Sequence, residues 1–314
     1  MLFDVLFLLG GLGLLIIGAN VLVKGASALA ASLGVSTFVI GLTVVAMGTS
    51  APEASLAVIS SWEGDASISF GNIIGANLTN IGVVLASACL VCPIPSGMTL
   101  LRREAVFLVV SIAAVASLGL NGSIDLGDSL VLIVAGLAFN YFVVRSAKLE
   151  RAAKYAEEGG GRVGMGRGKM AISIAGGLAL LIIGSELVLQ GGVGLATALG
   201  VDEFIIGLTV VAIGTTMPEL AVSLSSACRL EPDLLLGNVL GSNIFNSLFI
   251  IGLAGTFSPV SVSSSFYTII MPFTLVMYLV LIAFMYKGRK LNRATGGMLA
   301  TIYVAYLLGV LLMA

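Results

Sequence analysis

The segment Gly41 to Glu53, GLTVVAMGTSAPE, returns from Gly207 to Glu219 as GLTVVAIGTTMPE, with ten of thirteen positions identical. Each copy closes on a glutamate inside a strongly apolar stretch. A second block keeps the same spacing: Gly71, Asn72, Gly75, Asn77 and Asn80 recur as Gly237, Asn238, Gly241, Asn243 and Asn246, every pair 166 residues apart. The chain is a duplicated unit without insertions across its signature regions. Two buried carboxylates in matched settings point to a cation site.

Over 314 residues the chain is 58% hydrophobic and 10% charged, with a mean hydropathy of +1.13. That leaves too little polar surface to cover a soluble globule, so the chain reads as a polytopic membrane protein. The first apolar segment runs on without a small-residue cleavage site and reads as a retained helix, not a signal peptide. Stretches long enough to cross about 30 Å of hydrocarbon predict ten helices, near 2–23, 36–60, 69–91, 104–121, 127–145, 170–189, 202–227, 235–257, 266–286 and 295–313. With that partition all fifteen Lys and Arg fall on one side: Lys24, Arg102, Arg103, the run from Arg145 to Lys169, Arg229, and the cluster from Lys287 to Arg293. The other side carries Asp4, Glu63, Asp65, Asp125, Asp128, Asp202 and Glu203. The positive side of a membrane protein faces the cytoplasm, which predicts a multi-pass protein of the cell membrane with both termini outside the cytoplasm.

Five helices per copy is an odd number, so the second copy enters the bilayer upside down. The expected fold is an all-α membrane protein of ten transmembrane helices in two inverted five-helix repeats, residues 1–145 and 170–314, joined by a cytoplasmic linker at 146–169. Inverted repeats place a substrate site near the midplane where the copies meet. The linker is charge-rich, contains Gly159, Gly160 and Gly161, and reads as a mobile tether.

The repeated motif carries its own chemistry. Thr49 and Ser50 lie four and three residues before Glu53, so hydroxyls and carboxylate share one helical face. Pro52 withdraws a backbone hydrogen bond, which frees carbonyls around Ala46 to Thr49, and such groups persist in hydrocarbon only where they line a cavity or meet a ligand. Ala212, Thr215, Thr216, Pro218 and Glu219 repeat the arrangement. Carboxylate, hydroxyl and carbonyl oxygens without sulfur or imidazole suit a hard cation such as calcium or sodium. A charged carboxylate at mid-membrane costs about 2.5 to 3.5 kcal/mol on insertion scales. One divalent ion neutralises two glutamates, and sodium ions or protons can replace it, so exchange by mutual exclusion follows.

Other polar residues carry a competing reading, since Ser, Thr and Asn in membrane helices also serve packing. Thr43, Thr209, Asn72 and Asn238 divide between the two roles, whereas Asn80 and Asn246 lean to the site. Glu186, in the sixth helix where the first copy has Asn20, reads as a helix-end or gating residue. Cys89, Cys92 and Cys228, in a chain without histidine, read as small apolar filler.

At these motifs, GTSAPE with GNIIGANLTN and GTTMPE with GNVLGSNIFN, the chain resembles the prokaryotic sodium/calcium exchangers of the cation/calcium antiporter superfamily. The resemblance implies ten helices with the second, third, seventh and eighth packed as a central four-helix core around four ion sites. It implies that Glu53, Glu219, Thr49 and Thr215 coordinate calcium. Sodium would use the same glutamates with Ser50, Thr216, Ser242 and the carbonyls of Ala46 and Ala212, and Asn80 and Asn246 would flank the middle site. It further implies electrogenic sodium-for-calcium antiport, with the first and sixth helices sliding across the core. Ala76 stands where the second copy has Ser242, and Asn246 stands where potassium-dependent relatives carry aspartate. The alternatives are a proton/calcium exchanger of the same superfamily, whose motif has Asn at Thr49 and Thr215, and a passive cation channel. Calcium and sodium ions and the lipid bilayer are the expected partners. No nucleic acid, cofactor or catalytic residue is expected, and a single chain is expected to suffice for transport.

Overall fold

The computed structural model describes residues 1–64, 66–95, 99–158, 165–201, 210–286 and 290–312. Asp65, Asp202, Glu203, Thr209, Lys287, Arg289 and the glycines at the centre of the linker lie outside them. The described chain is almost wholly helical. Its helices are α1 (Leu2–Leu33), α2 (Thr37–Thr49), α3 (Ala51–Trp62), α4 (Ile68–Val91), α5 (Thr99–Leu118), α6 (Leu126–Glu158), α7 (Arg167–Ala198), α8 (Met217–Cys228, preceded by the turn Ala212–Thr215), α9 (Pro232–Gly255), α10 (Phe266–Tyr286) and α11 (Arg293–Leu311). Among the described residues eight helices are long and apolar enough to cross a membrane, and nine if α2 and α3, bent by 43° at their junction, form one span. The tenth expected span, 202–227, falls partly on residues outside the described set.

Three helices outrun their expected limits. α1 passes Lys24 and stops at Leu33, where Gly34 takes φ 64° and closes the end with Gly34 N–H to Ala31 and Val35 N–H to Ala30. Only glycine adopts that conformation without steric cost. The same stop recurs 166 residues on: Gly200 has φ 75°, and Val201 N–H reaches Ala196. α7 therefore continues to Ala198, and Glu186 lies well inside it and not at a helix end. α6 continues to Glu158, so the expected tether begins as helix; the charged run after Arg145 keeps the backbone bonds of a helix once it has left the apolar layer.

The chain divides into two compact units that both draw on each sequence copy, residues 1–52 with 142–238 and residues 53–141 with 239–314. Their boundaries fall at Pro52–Glu53, inside α6, and inside α9 at Asn238–Val239.

In the first unit α1 and α7 pack along their length through glycines spaced seven apart. A Cβ on Gly18 would stand 2.9 Å from the Gly177 carbonyl oxygen, and one on Gly184 would stand 2.9 Å from that of Gly11. These two contacts are each other's images under the 166-residue offset. Gly25 against Ser173 and Ile174, and Gly191 against Leu8, extend the seam. Glycine at the crossing lets backbones approach to van der Waals contact where lipid supplies no hydrophobic drive. Leu15, Leu22, Val23, Leu181 and Val188 fill the flanks.

In the second unit short pairings tie helix ends together. Ile94 and Leu291 exchange backbone hydrogen bonds of 2.8 and 2.9 Å. Val260, 166 residues beyond Ile94, pairs with Ile124 in a two-stranded antiparallel ladder, β1 (Ser123–Ile124) with β2 (Val260–Ser261). Asn292 caps α11 by accepting from Thr295 N–H at 3.1 Å.

Replacing Gly18 by Leu should therefore force α1 and α7 apart and destabilise the detergent-solubilised protein by about 1 to 3 kcal/mol, read as a lower melting temperature. Gly13→Ala is the control: no atom lies within 4 Å of a Cβ there, and alanine gains about 1 kcal/mol of helix propensity over glycine, so the melting temperature should hold or rise.

Candidate functional site

Both signature glutamates are fully buried and stand in the first turn of a helix that starts after a break. The break falls at Ser50 (φ −80°, ψ 12°) and recurs at Thr216 (φ −88°, ψ 5°), immediately before Ala51–Pro52 and Met217–Pro218. Proline suits the first turn, where its missing N–H has no intrahelical partner in any case. The positive end of the following helix then faces the carboxylate. A discontinuous helix is the form in which membrane proteins aim helix ends at ions.

The first unit holds one half of the polar groups. Ser50 Oγ donates to Glu219 Oε1 at 3.1 Å. Thr49 Oγ1 donates to Asn238 Oδ1 at 3.1 Å, and Asn238 Nδ2 reaches Ser223 Oγ at 3.4 Å. This contact is possible because α2 and α9 cross backbone to backbone, a Cβ on Gly41 falling 3.0 Å from Asn238 N. Thr215 and Thr216 both turn their hydroxyls to the Ala212 carbonyl, at 3.4 and 3.1 Å. The Ala46 carbonyl is not freed as expected: it accepts Ser50 N–H at 3.0 Å and faces Thr49 Oγ1 at 3.3 Å. The single-residue break at Ser50 lets the carbonyl keep its helical donor while α3 starts afresh, and a carbonyl has a second lone pair for an ion. Thr43 is occupied by its own helix, donating to Val39 at 2.6 Å.

The second unit holds Glu53, Ser242 and a chain of buried amides. π-helical turns open at Asn80 and at Asn246, the same place in each copy. Such turns are rare and frequent at functional sites, because the extra residue turns side chains off the regular face. Asn246 Nδ2 donates to Asn77 Oδ1 at 3.2 Å, and Asn77 Nδ2 donates to Ser247 Oγ at 2.8 Å. Asn80 Nδ2 donates to Asn243 Oδ1 at 3.1 Å. The amide oxygens of Asn80 and Asn246 are buried without a hydrogen-bond donor among the described residues. An unsatisfied buried amide oxygen costs about 1 to 3 kcal/mol, and a hard cation is the ligand that would satisfy it.

Asn77, Asn243 and Ser247 belong to this network, and Ser223 completes Asn238 in the first unit, although none of the four is among the expected site residues. The two asparagines carried the repeat signal. The serines could not, since their counterparts are Ala57 and Ile81. The missing counterparts account for two orphans, because Asn72 Nδ2 and Asn243 Nδ2, the images of Asn238 Nδ2 and Asn77 Nδ2, have no partner. Glu186 is exposed on α7, where Oε1 accepts from Gln190 Nε2 at 2.7 Å. Cys89 is buried and Cys228 exposed, and among the described residues no group of three His, Cys, Asp or Glu could hold a metal.

A profile described as sodium/calcium exchanger protein matches residues 3–145 and 169–312. The chain is 30% identical over 338 residues to sodium/calcium exchanger MaX1 of Methanosarcina acetivorans, covering 96% of this chain and 97% of that one. It is 31% identical over 298 residues to the uncharacterized membrane protein MJ0091 of Methanocaldococcus jannaschii, covering 95% of each. Solved structures of the sodium-calcium exchanger NCX_Mj superpose closely. A crystal soaked with zero sodium and calcium gives a TM-score of 0.85 at 30% identity over 98% of this chain and 99% of that chain. One soaked with 2.5 mM sodium and 0.1 mM calcium gives 0.83 at 31% identity over 96% of both.

The Thr49–Asn238 contact is open to a double-mutant cycle. Thr49→Val, Asn238→Leu and the double variant should yield a coupling of about 1 kcal/mol in thermal melts. Additive losses would show that the two side chains act separately.

Proposed function

Because the chain belongs to the sodium/calcium exchanger family, we propose that it exchanges sodium for calcium across the cell membrane by alternating access, electrogenically and without ATP. The observation that carries this reading is the matched pair of fully buried glutamates, each opening a half-helix after a break at a hydroxyl residue. Ten helices in two inverted repeats, residues 1–145 and 170–314, are the architecture we propose, with helices two, three, seven and eight as the core. The recurrence of the Gly34 stop at Gly200, of the Gly18 contact at Gly184, and of the Ile94 pairing at Val260 supports it.

In this reading calcium takes Glu53, Glu219, Thr49 and Thr215, and sodium takes the glutamates with Ser50, Thr216, Ser242 and the Ala46 and Ala212 carbonyls. Asn80 and Asn246 flank the middle. The buried oxygens of the two asparagines and the hydroxyl already turned to Glu219 favour that assignment. Loaded with one calcium or with sodium, the two carboxylates are compensated and the protein can change its open side; empty, the pair costs too much to carry through the hydrocarbon. Sodium and calcium exclude each other because they need the same oxygens. The Lys- and Arg-rich face lies in the cytoplasm and both termini lie outside it.

Calcium-45 uptake into proteoliposomes at clamped voltage tests this. An outward sodium gradient should drive uptake, Glu53→Gln and Glu219→Gln should each reduce it to background, and acidification from pH 8 to pH 5 should inhibit it as protons compete for the glutamates. Uptake driven only by a proton gradient would make the protein a proton/calcium exchanger, and uptake needing neither gradient would make it a channel.

A further inference from the structure

Several backbone features recur at the 166-residue offset, and one polar cluster in the first unit does not. On α1, Asn20 Oδ1 accepts from Arg229 at 2.8 Å (Nη2) and 3.2 Å (Nε), and from Ser225 Oγ at 3.3 Å. Its Nδ2 donates to the Ile16 carbonyl one turn back at 2.9 Å, which fixes the amide with its oxygen outward. Two turns further along α1, Ser27 Oγ donates to Glu231 Oε2 at 2.6 Å. Arg229 and Glu231 flank Leu230, a non-glycine residue at φ 57° in the tight turn between α8 and α9. Holding a leucine there costs on the order of 1 kcal/mol, and the turn it makes presents both charged side chains to α1.

The images of these residues 166 positions away cannot repeat the arrangement. Asn20 becomes Glu186, Arg229 becomes Glu63, Ser225 becomes Ile59, Ser27 becomes Val193 and Glu231 becomes Asp65. Two carboxylates stand in the places of the guanidinium and its acceptor, so the donor–acceptor pairing has no image. Glu186 instead engages Gln190 on its own helix.

We propose that Asn20, Ser27, Arg229 and Glu231 form a one-sided latch pinning α1 to the α8–α9 turn, and that it biases the transport cycle toward the register seen here. The inference rests on the alternating-access reading. In a protein built from two inverted copies, the opposite register exchanges the roles of the copies, and matched contacts contribute equally to both. The equilibrium between registers is then set by unmatched contacts, of which this cluster is charge-assisted and only half-exposed. Arg229 is a positioning residue, ten residues along the chain from Glu219, and it holds α1.

The test compares the parent with Asn20→Ala, Arg229→Gln and Arg229→Lys in right-side-out and inverted membrane vesicles. Half-saturating calcium is measured at each face. The ratio of the two values follows the register equilibrium directly. Asn20→Ala and Arg229→Gln should each change it about fivefold to tenfold in the same direction, with no further change in the double variant and partial recovery in Arg229→Lys. Spin labels at Lys24→Cys and Leu230→Cys, with the native cysteines replaced, give a readout that needs no transport. The parent should show one short distance, and the Asn20 and Arg229 variants should add a longer population. Unchanged ratio and unchanged distances would overturn the latch. Absent exchange in the parent, with distances that still respond, would sink the exchanger reading and leave the latch standing.

Discussion

Two glutamates without solvent contact, in a chain whose remaining surface is made for hydrocarbon, are the constraint from which the rest of the structure follows. Burial of a bare carboxylate is costly enough to unfold a marginal protein, so each must have its charge answered locally. The breaks at Ser50 and Thr216 do part of this by starting a helix at the acid, and Ser50 does more by donating to Glu219. In the second unit π turns open at Asn80 and Asn246, beside a chain of buried amides. The break at Ser50 leaves the Ala46 carbonyl its donor, and the π turns replace the regular ladder with i→i+5 bonds.

The glycine seam between α1 and α7 answers a different demand. Both helices are long, apolar and largely exposed at their outer faces, so close backbone contact, flanked by Leu15, Leu22, Val23, Leu181 and Val188, holds them as a pair. Glycines seven apart supply that contact without interlocking side chains.

Most of this was legible in the residues. The long apolar stretches predict the helices, and the 166-residue offset singles out the two glutamates and the hydroxyls beside them, because duplication repeats side chains as well as fold. Helix ends were less legible: Lys24 looked like an exit from the membrane, and Arg145 like the start of a tether, yet α1 and α6 continue because backbone hydrogen bonding persists beyond the apolar layer. Pro52 predicts a freed Ala46 carbonyl, whereas a one-residue break keeps its donor in place. Ser223 and Ser247 were invisible because their signal is not periodic. They complete amides in one copy only, and a search for repetition passes over what is unique.

Those unique positions carry the part of the design that duplication cannot. A symmetric pair of halves would have equal registers and equivalent ion positions, since every contact made by one would be made by the other. Ser223 against Ala57, Ser247 against Ile81, Ser242 against Ala76 and Arg229 against Glu63 each break that equality. The first two leave an orphaned amide in one copy while satisfying its image in the other. Among the described residues Asn243 keeps its Oδ1 on Asn80 while its Nδ2 lacks the hydroxyl that Ser247 gives Asn77, and Asn72 lacks the one that Ser223 gives Asn238. Duplication fixed where the amides stand, and the later divergence of their neighbours fixed how each is satisfied.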